Sequence, residues 1–357
     1  MKGTRITFLK TLVFTYFVFS FITVDAQTEN PGFCEVPATW DKIHVSKEKI
    51  SCGLTKIFII TNRPFFQEAE NQEFFPNDIA NYRKVSYLIA VCDGQHWQLY
   101  FVSSFAEGMK VINDGRDILL FVEGHGKTLP MALNRAYQVQ ARYNVALVVF
   151  DWPSKNRNFN SSLARVRRCG DNFYNLLLQI KEYRTHSMDE NQHFSILAHS
   201  LGNYFLSNMI VCGDGQYLKE QFIDNIIMNA AAIRSREHGE VLSQLAIQQR
   251  LYIASNKNDW VLHGAQLLTS GKMLGIRAIR PLATNAQYVN FTGMVGKEHS
   301  YYYGHHPVEH DNPAFFYFYN TAVHGNNVNL KDTELFSPRD TGDGYDIRDS
   351  GSGMDQK

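Results

Sequence analysis

The chain has 357 residues, 44% apolar and 20% charged, which is long enough to bury a large core and excludes wholesale disorder. Its 35 Lys and Arg balance 35 Asp and Glu, so it lacks the basic footprint of a nucleic-acid binder or of a protein held on an anionic membrane. The densest basic cluster, Arg165, Arg167 and Arg168, reads as a solvated helix face.

Residues 1–26 read as a secretory signal peptide: Lys2, Arg5 and Lys10 precede the uncharged run 11–24, and Val24-Asp25-Ala26 forms a small-residue cleavage site. That run is shorter than the ~20 residues needed to span a bilayer, so a protein released after Ala26, secreted or periplasmic and without stable membrane insertion, is expected. Five cysteines remain, Cys34, Cys52, Cys92, Cys169 and Cys212. Export permits disulfides, and Cys34–Cys52 is the expected bridge; Cys169 and Cys212 lie in helical patterns, where a buried thiol is the default.

After an N-terminal segment (27–53), apolar runs alternate with helical patterns. LTKIFIIT (54–61) and WQLYFVSS (97–104) read as strands, and ILLFV (118–122) as a buried strand ending in the loop Glu123-Gly124-His125-Gly126. A helix over 129–143 precedes the strand VALVVF (145–150) and the turn DWPS (151–154). Leu163, Val166, Phe173, Leu176, Leu177 and Ile180 mark one face of a helix over 161–184. The strand FSILA (194–198) leads into a helix from about 201; strands 225–233, 251–255 and 288–293 follow, the first two each succeeded by a helix. Uniformly apolar runs separated by helices indicate parallel strands buried on both faces. The fold class is therefore α/β: a mostly parallel mixed sheet, helices on both faces, no large cap domain because one helix separates 225–233 from 251–255. The domain is expected over 54–325, with 326–357 a polar, mobile tail.

Ser200, in HFSILAHSLGNYFL, sits where a buried strand ends and a helix begins. A nucleophile elbow needs small residues two before and two after its serine, and Ala198 and Gly202 fill those places. A serine needs a base to take its proton and a third group to orient the base. Asp259 follows the strand LYIAS and His299 follows YVNFTG, so the order is Ser, Asp, His, each after a successive strand. Asp151 and Glu298 stand as alternative acids, and His305, His306 and His310 as alternative bases. Oxyanion donors would be the Leu201 N–H and one from the loop after 118–122, His125 or behind it Gly126.

FVEGHG, VVFDWPS, LAHSLGN, LYIASNKNDW and KEHSYY, in this order over residues 55–323, resemble a family of α/β-hydrolases of unassigned function. The resemblance implies an α/β-hydrolase fold with Ser200 as nucleophile, Asp259 as acid and His299 as base. Glu123 stands where that family usually has histidine, and a carboxylate there would disfavour a developing oxyanion.

The expected activity is hydrolysis of an ester, thioester or amide through an acyl-enzyme, with a small or lipid-like acyl substrate and no metal or cofactor. Two rivals come from other classes. One is an inactive, secreted binding protein on the same scaffold. The other is a zinc peptidase using His306-Pro307-Val308-Glu309-His310, a motif that lacks a third ligand downstream and carries a proline inside its helix.

Overall fold

The computed structural model describes residues 43–44, 55–66, 75–76, 80–92, 97–154, 159–269, 271–303 and 312–348. The expected signal peptide, Cys34, Cys52 and the motif at 306–310 lie outside them. Among the described residues no helix is long and apolar enough to cross a membrane.

One mixed, mostly parallel sheet organises the described chain, in the order β1-β4-β3-β2-β6-β5-β7-β8-β9-β10-β12-β11. Its central strands are β2 (Thr55–Thr61), β5 (Ile118–Val122), β6 (Ala146–Asp151), β7 (Phe194–His199), β8 (Ile223–Asn229), β9 (Gln248–Ser255) and β10 (Ala286–Asn290). All of these pair in parallel, and β5 to β8 are buried along their whole length. That explains the apolar runs at their centres, such as ILLFV in β5 and ALVVF in β6. The short β1 (Ile43–His44) adds in parallel to the outer strand β4 (Trp97–Val102). Between β2 and β4 lies β3 (Ser86–Cys92), antiparallel to both, so the two early strands read from sequence are not direct partners.

Helices cover both faces. From β5 the chain crosses through α2 (Leu129–Tyr143) to β6 on one side, then passes back over β5 to reach β7. Right-handed crossovers running in opposite directions place their helices on opposite faces. On one face α2 meets α8 (Pro313–Val323), with the Tyr143 and Phe316 rings 6.3 Å apart. On the other, Phe150 of β6 packs edge-on against Phe173 of α4 (Gly170–His186) and Phe205 of α5 (Asn203–Val211), both at 5.2 Å. There too α1 (Phe105–Ile112) joins α4 through Phe105 and Tyr183.

The helix expected over 161–184 is two helices, α3 (Phe159–Arg168) and α4, divided at Cys169. At Gly170 a Cβ would lie 2.9 Å from the Asn208 amide, so the break lets α5 approach. The strand expected to run to 233 ends at Asn229, and Ala230 takes φ +45°. Between β8 and β9 lies only α6 (His238–Leu242); α7 (Trp260–Thr269) follows β9.

One expectation is corrected. Residues 326–348 are not a mobile tail: β12 (Tyr345–Ile347) pairs in parallel with β10 and in antiparallel with β11 (Phe336–Pro338). Few as its apolar residues are, Val328, Leu330, Phe336 and Ile347 are all buried. Cys92 is disulfide-bonded and Cys169 and Cys212 are free, while the expected Cys34–Cys52 bridge falls on residues outside those described. Cys169 is buried as expected; Cys212, at the end of α5, is exposed.

Candidate active site

The strand order reverses beside β5, whose carboxyl end lies next to that of β7. In an open parallel sheet the loops leaving these ends part in opposite directions and leave a crevice. Residues 123–126 leave β5, and Ser200 leaves β7.

Ser200 has φ +51°, a left-handed backbone that a side chain other than glycine adopts only under strain. Ala198, two residues earlier, is still in the extended β7, so alanine is unstrained there. A short 3-10 turn over Ser200–Gly202 leads into α5. The turn is clamped from both sides. Asn203 Nδ2 donates to the Ser200 and Asn229 carbonyls at 3.0 and 3.1 Å, and Ala232 N–H donates to the Ser200 carbonyl at 3.1 Å. The loop after β5 presses on the turn: a Cβ on Gly124 would lie 2.6 Å from Ser200 Cβ, and one on Gly202 would lie 2.6 Å from the Val122 carbonyl oxygen. Ser200 itself is 6% exposed.

Asp259 and His299 are brought together. Asp259, fully buried, accepts from the Leu262 N–H through Oδ1 at 2.9 Å, and its Oδ2 lies 2.6 Å from His299 Nδ1. The loop bearing His299 is held by Asn256, whose Nδ2 donates to the Gly296 and Glu298 carbonyls at 3.1 and 2.8 Å. The His299 ring lies 4.6 Å from that of His199, the residue preceding Ser200. Among the described residues the Ser200 hydroxyl makes no hydrogen bond, so the chain from Asp259 through His299 to Ser200 is closed at its first link only. Neither rival acid serves His299. Arg63 grips Asp151 through Nε at 2.7 Å and Nη2 at 3.1 Å, with the Thr61 hydroxyl at 2.5 Å, and Glu298 is exposed. The rival bases His305, His306 and His310 lie outside the described residues.

The proposed oxyanion donors separate. Leu201 lies in the first turn of a helix, where N–H groups have no partner within the helix. His125 N–H has no acceptor among the described residues, whereas Gly126 N–H donates to the Ser154 carbonyl at 3.1 Å and Gly124 N–H to the Glu123 carboxylate at 2.7 Å. Gly126 is thereby removed as a donor. The His125 ring packs on Phe159 with Nδ1 2.8 Å from the Ser162 hydroxyl; burial, helped by the Lys127 charge, pushes its pKa down to about 4 and leaves it neutral.

The Trp-Pro-Ser turn after β6 splints this loop. Trp152 Nε1 donates to the Glu123 carbonyl at 3.0 Å, and the Ser154 hydroxyl accepts from Lys127 N–H at 2.9 Å. Behind it, the Arg63 guanidinium donates to the Trp152 and Lys127 carbonyls at 3.0 and 3.1 Å. Sequence reasoning did not find Arg63 or Asn256 as parts of the site, because a lone polar residue just past a strand end carries no signal of what it will hold, and it gave Asn203, at the end of LAHSLGN, no role.

A family model described as an alpha/beta hydrolase of unknown function (DUF900) matches residues 103–288, more than half of the chain. No curated protein matches.

Proposed function

Since the chain belongs to the alpha/beta hydrolases of unknown function, we propose that it is a secreted serine hydrolase that cleaves an ester, thioester or amide by way of an acyl-enzyme. The reading is carried by the 2.6 Å contact of the buried Asp259 with His299, set beside a serine held at φ +51°. In this reading Asp259 fixes His299 with its Nδ1 proton toward the carboxylate, leaving Nε2 to take the Ser200 proton. Ser200 Oγ then bonds to the carbonyl carbon. The oxyanion that develops is met by the Leu201 and His125 N–H groups. As the tetrahedral intermediate collapses, His299 passes its proton to the leaving group. Water then attacks the acyl carbon with His299 again as base, and the second tetrahedral intermediate expels Ser200 Oγ, which takes back the proton from His299 as the acid is released. The Ser200–His299 hydrogen bond forms as substrate enters, as such bonds often tighten only in the bound complex.

Export rests on the charged and apolar pattern of residues 1–26, and the bridged Cys92 agrees with an oxidising compartment. N-terminal sequencing of exported protein should read from Gln27.

The test is labelling with a fluorophosphonate probe together with turnover of short-chain p-nitrophenyl esters. Wild type is expected to label and Ser200→Ala not. Asp259→Asn should lower kcat by on the order of 10⁴-fold by favouring the wrong His299 tautomer. Correctly folded wild type that neither labels nor hydrolyses these esters would leave the binding-protein reading in its place.

A further inference from the structure

Glu123 stands at the start of the oxyanion loop, where a free carboxylate would repel the developing oxyanion. It is 3% exposed, and each of its oxygens is engaged. Oε1 accepts from Gly124 N–H at 2.7 Å and lies 3.8 Å from His199 Nε2. Oε2 accepts from the Tyr302 hydroxyl at 3.0 Å and faces Arg135 Nη1 at 3.4 Å. The same Arg135 nitrogen donates to the Ser300 hydroxyl at 2.7 Å, and that hydroxyl lies 3.2 Å from His199 Nε2. Ser300 and Tyr302 both belong to the segment that carries His299. Glu123 and Arg135 thus join three pieces of the site: the oxyanion loop through Gly124, the His299 segment through Ser300 and Tyr302, and the residue preceding the nucleophile through His199.

From this we infer that the buried Glu123–Arg135 pair is a positioning device, which fixes the loop bearing His299 against the oxyanion loop while Arg135 cancels the charge of Glu123. The inference rests on the serine-hydrolase reading above. Neither residue touches reacting atoms; both act through the groups they hold. Burial by itself would push the Glu123 carboxyl up, but Arg135 and Lys127, with the Gly124 N–H and the Tyr302 hydroxyl, hold it below the usual glutamate value. The pair is therefore ionised, and the site sees a salt bridge where a lone anion would stand. Burial, followed by the charges of His299, Arg135 and Lys127, keeps His199 far below the usual histidine value, so its neutral ring adds no charge beside His299.

The test compares full-length wild type, Arg135→Met, Glu123→Gln/Arg135→Met and Ser200→Ala, measuring ester turnover and the urea midpoint from pH 5 to 8. Arg135→Met strands a buried carboxylate whose pKa must rise, so its stability should fall as pH rises, and kcat should drop about tenfold or more with KM within about twofold. Removing the charge as well, in the double variant, should flatten the pH dependence of the midpoint and recover part of kcat. The inference is overturned if Arg135→Met keeps wild-type kcat with a pH-independent midpoint, or if the double variant is no better than the single one. If Arg135→Met does not fold, Arg135→Lys against Arg135→Gln makes the same comparison: the charged variant should keep the higher kcat, and equal rates would overturn the inference. An enzyme that depends on Ser200 but not on Arg135 refutes this inference alone. Turnover that survives Ser200→Ala refutes the reading beneath it, and the inference with it.

Discussion

Ser200 is held at φ +51° although it carries a side chain, and for an L-residue that region costs roughly 1–2 kcal/mol. Glycine enters it freely. Ser200→Gly and Ser200→Ala should therefore both be inactive yet differ in stability, with the glycine variant about 1 kcal/mol more stable by urea unfolding. Equal midpoints would mean that the turn stores no strain. Gly202 poses the opposite constraint. Its missing Cβ would sit 2.6 and 2.8 Å from the Val122 and Glu123 carbonyl oxygens, and backbone cannot swing aside as a flexible side chain does. Gly202→Ala is expected to cost about 1–3 kcal/mol and to loosen the fit between the oxyanion loop and the elbow, measurable as a lower urea midpoint with slower probe labelling.

At the level of elements, the sheet is anchored at its other end by a contact unrelated to the site. His324, at the carboxyl end of α8, places Nδ1 2.7 Å from Asp117 Oδ2 and Nε2 2.8 Å from the Tyr143 carbonyl, which ties α8 to α2 and to the entry of β5. The hydrogen bond to Asp117, only partly offset by burial, holds His324 above the usual histidine value. Burial would raise Asp117, but the bonds from His324 and from the His193 N–H bring it below the usual aspartate value. A histidine raised in the folded state stabilises fully below its unfolded pKa, and this is lost as pH rises through the folded value; a lowered aspartate stabilises above its unfolded pKa and is lost on acidification. The contact is thus at full strength between about pH 4 and pH 6.5. His324→Ala should be more destabilising at pH 6 than at pH 8 in thermal unfolding; an equal loss at both would show that the pair carries no charge.

Across the whole molecule, β12 closes what would otherwise be the open edge of β10. Gly344 takes φ +130° with the Tyr288 carbonyl so near that a Cβ would lie 2.3 Å away, so the last strands are fitted to β10 at close quarters. Ending the chain after Leu330 should cost about 3 kcal/mol through the loss of buried Phe336 and Ile347, and should promote association through the bared edge of β10. A truncated chain with an unchanged urea midpoint that remains monomeric would restore the view of a mobile tail.

Local sequence determined whatever depends on local chemistry. Unbroken apolar runs such as 118–122 and 145–150 had only a buried parallel sheet in which to be satisfied, and the 129–143 helix is capped by Thr128 and ends at Asn144, φ +52°. The small residues about Ser200 marked the turn, and the order of Ser200, Asp259 and His299 along successive strands is visible in the sequence. Tertiary structure alone decided which polar groups meet. Asp151 and Asp259 both follow apolar strands, but only the position of Arg63 commits the first to a structural bridge and leaves the second to His299. Gly126 and His125 are neighbours, and only Ser154 tells their N–H groups apart. Glu123 looked like an unfavourable charge until Arg135, twelve residues on, was folded against it. A hydrogen bond or ion pair acts over about 3 Å in space whatever its separation in sequence, so these pairings exist only once the sheet has brought its strand ends together.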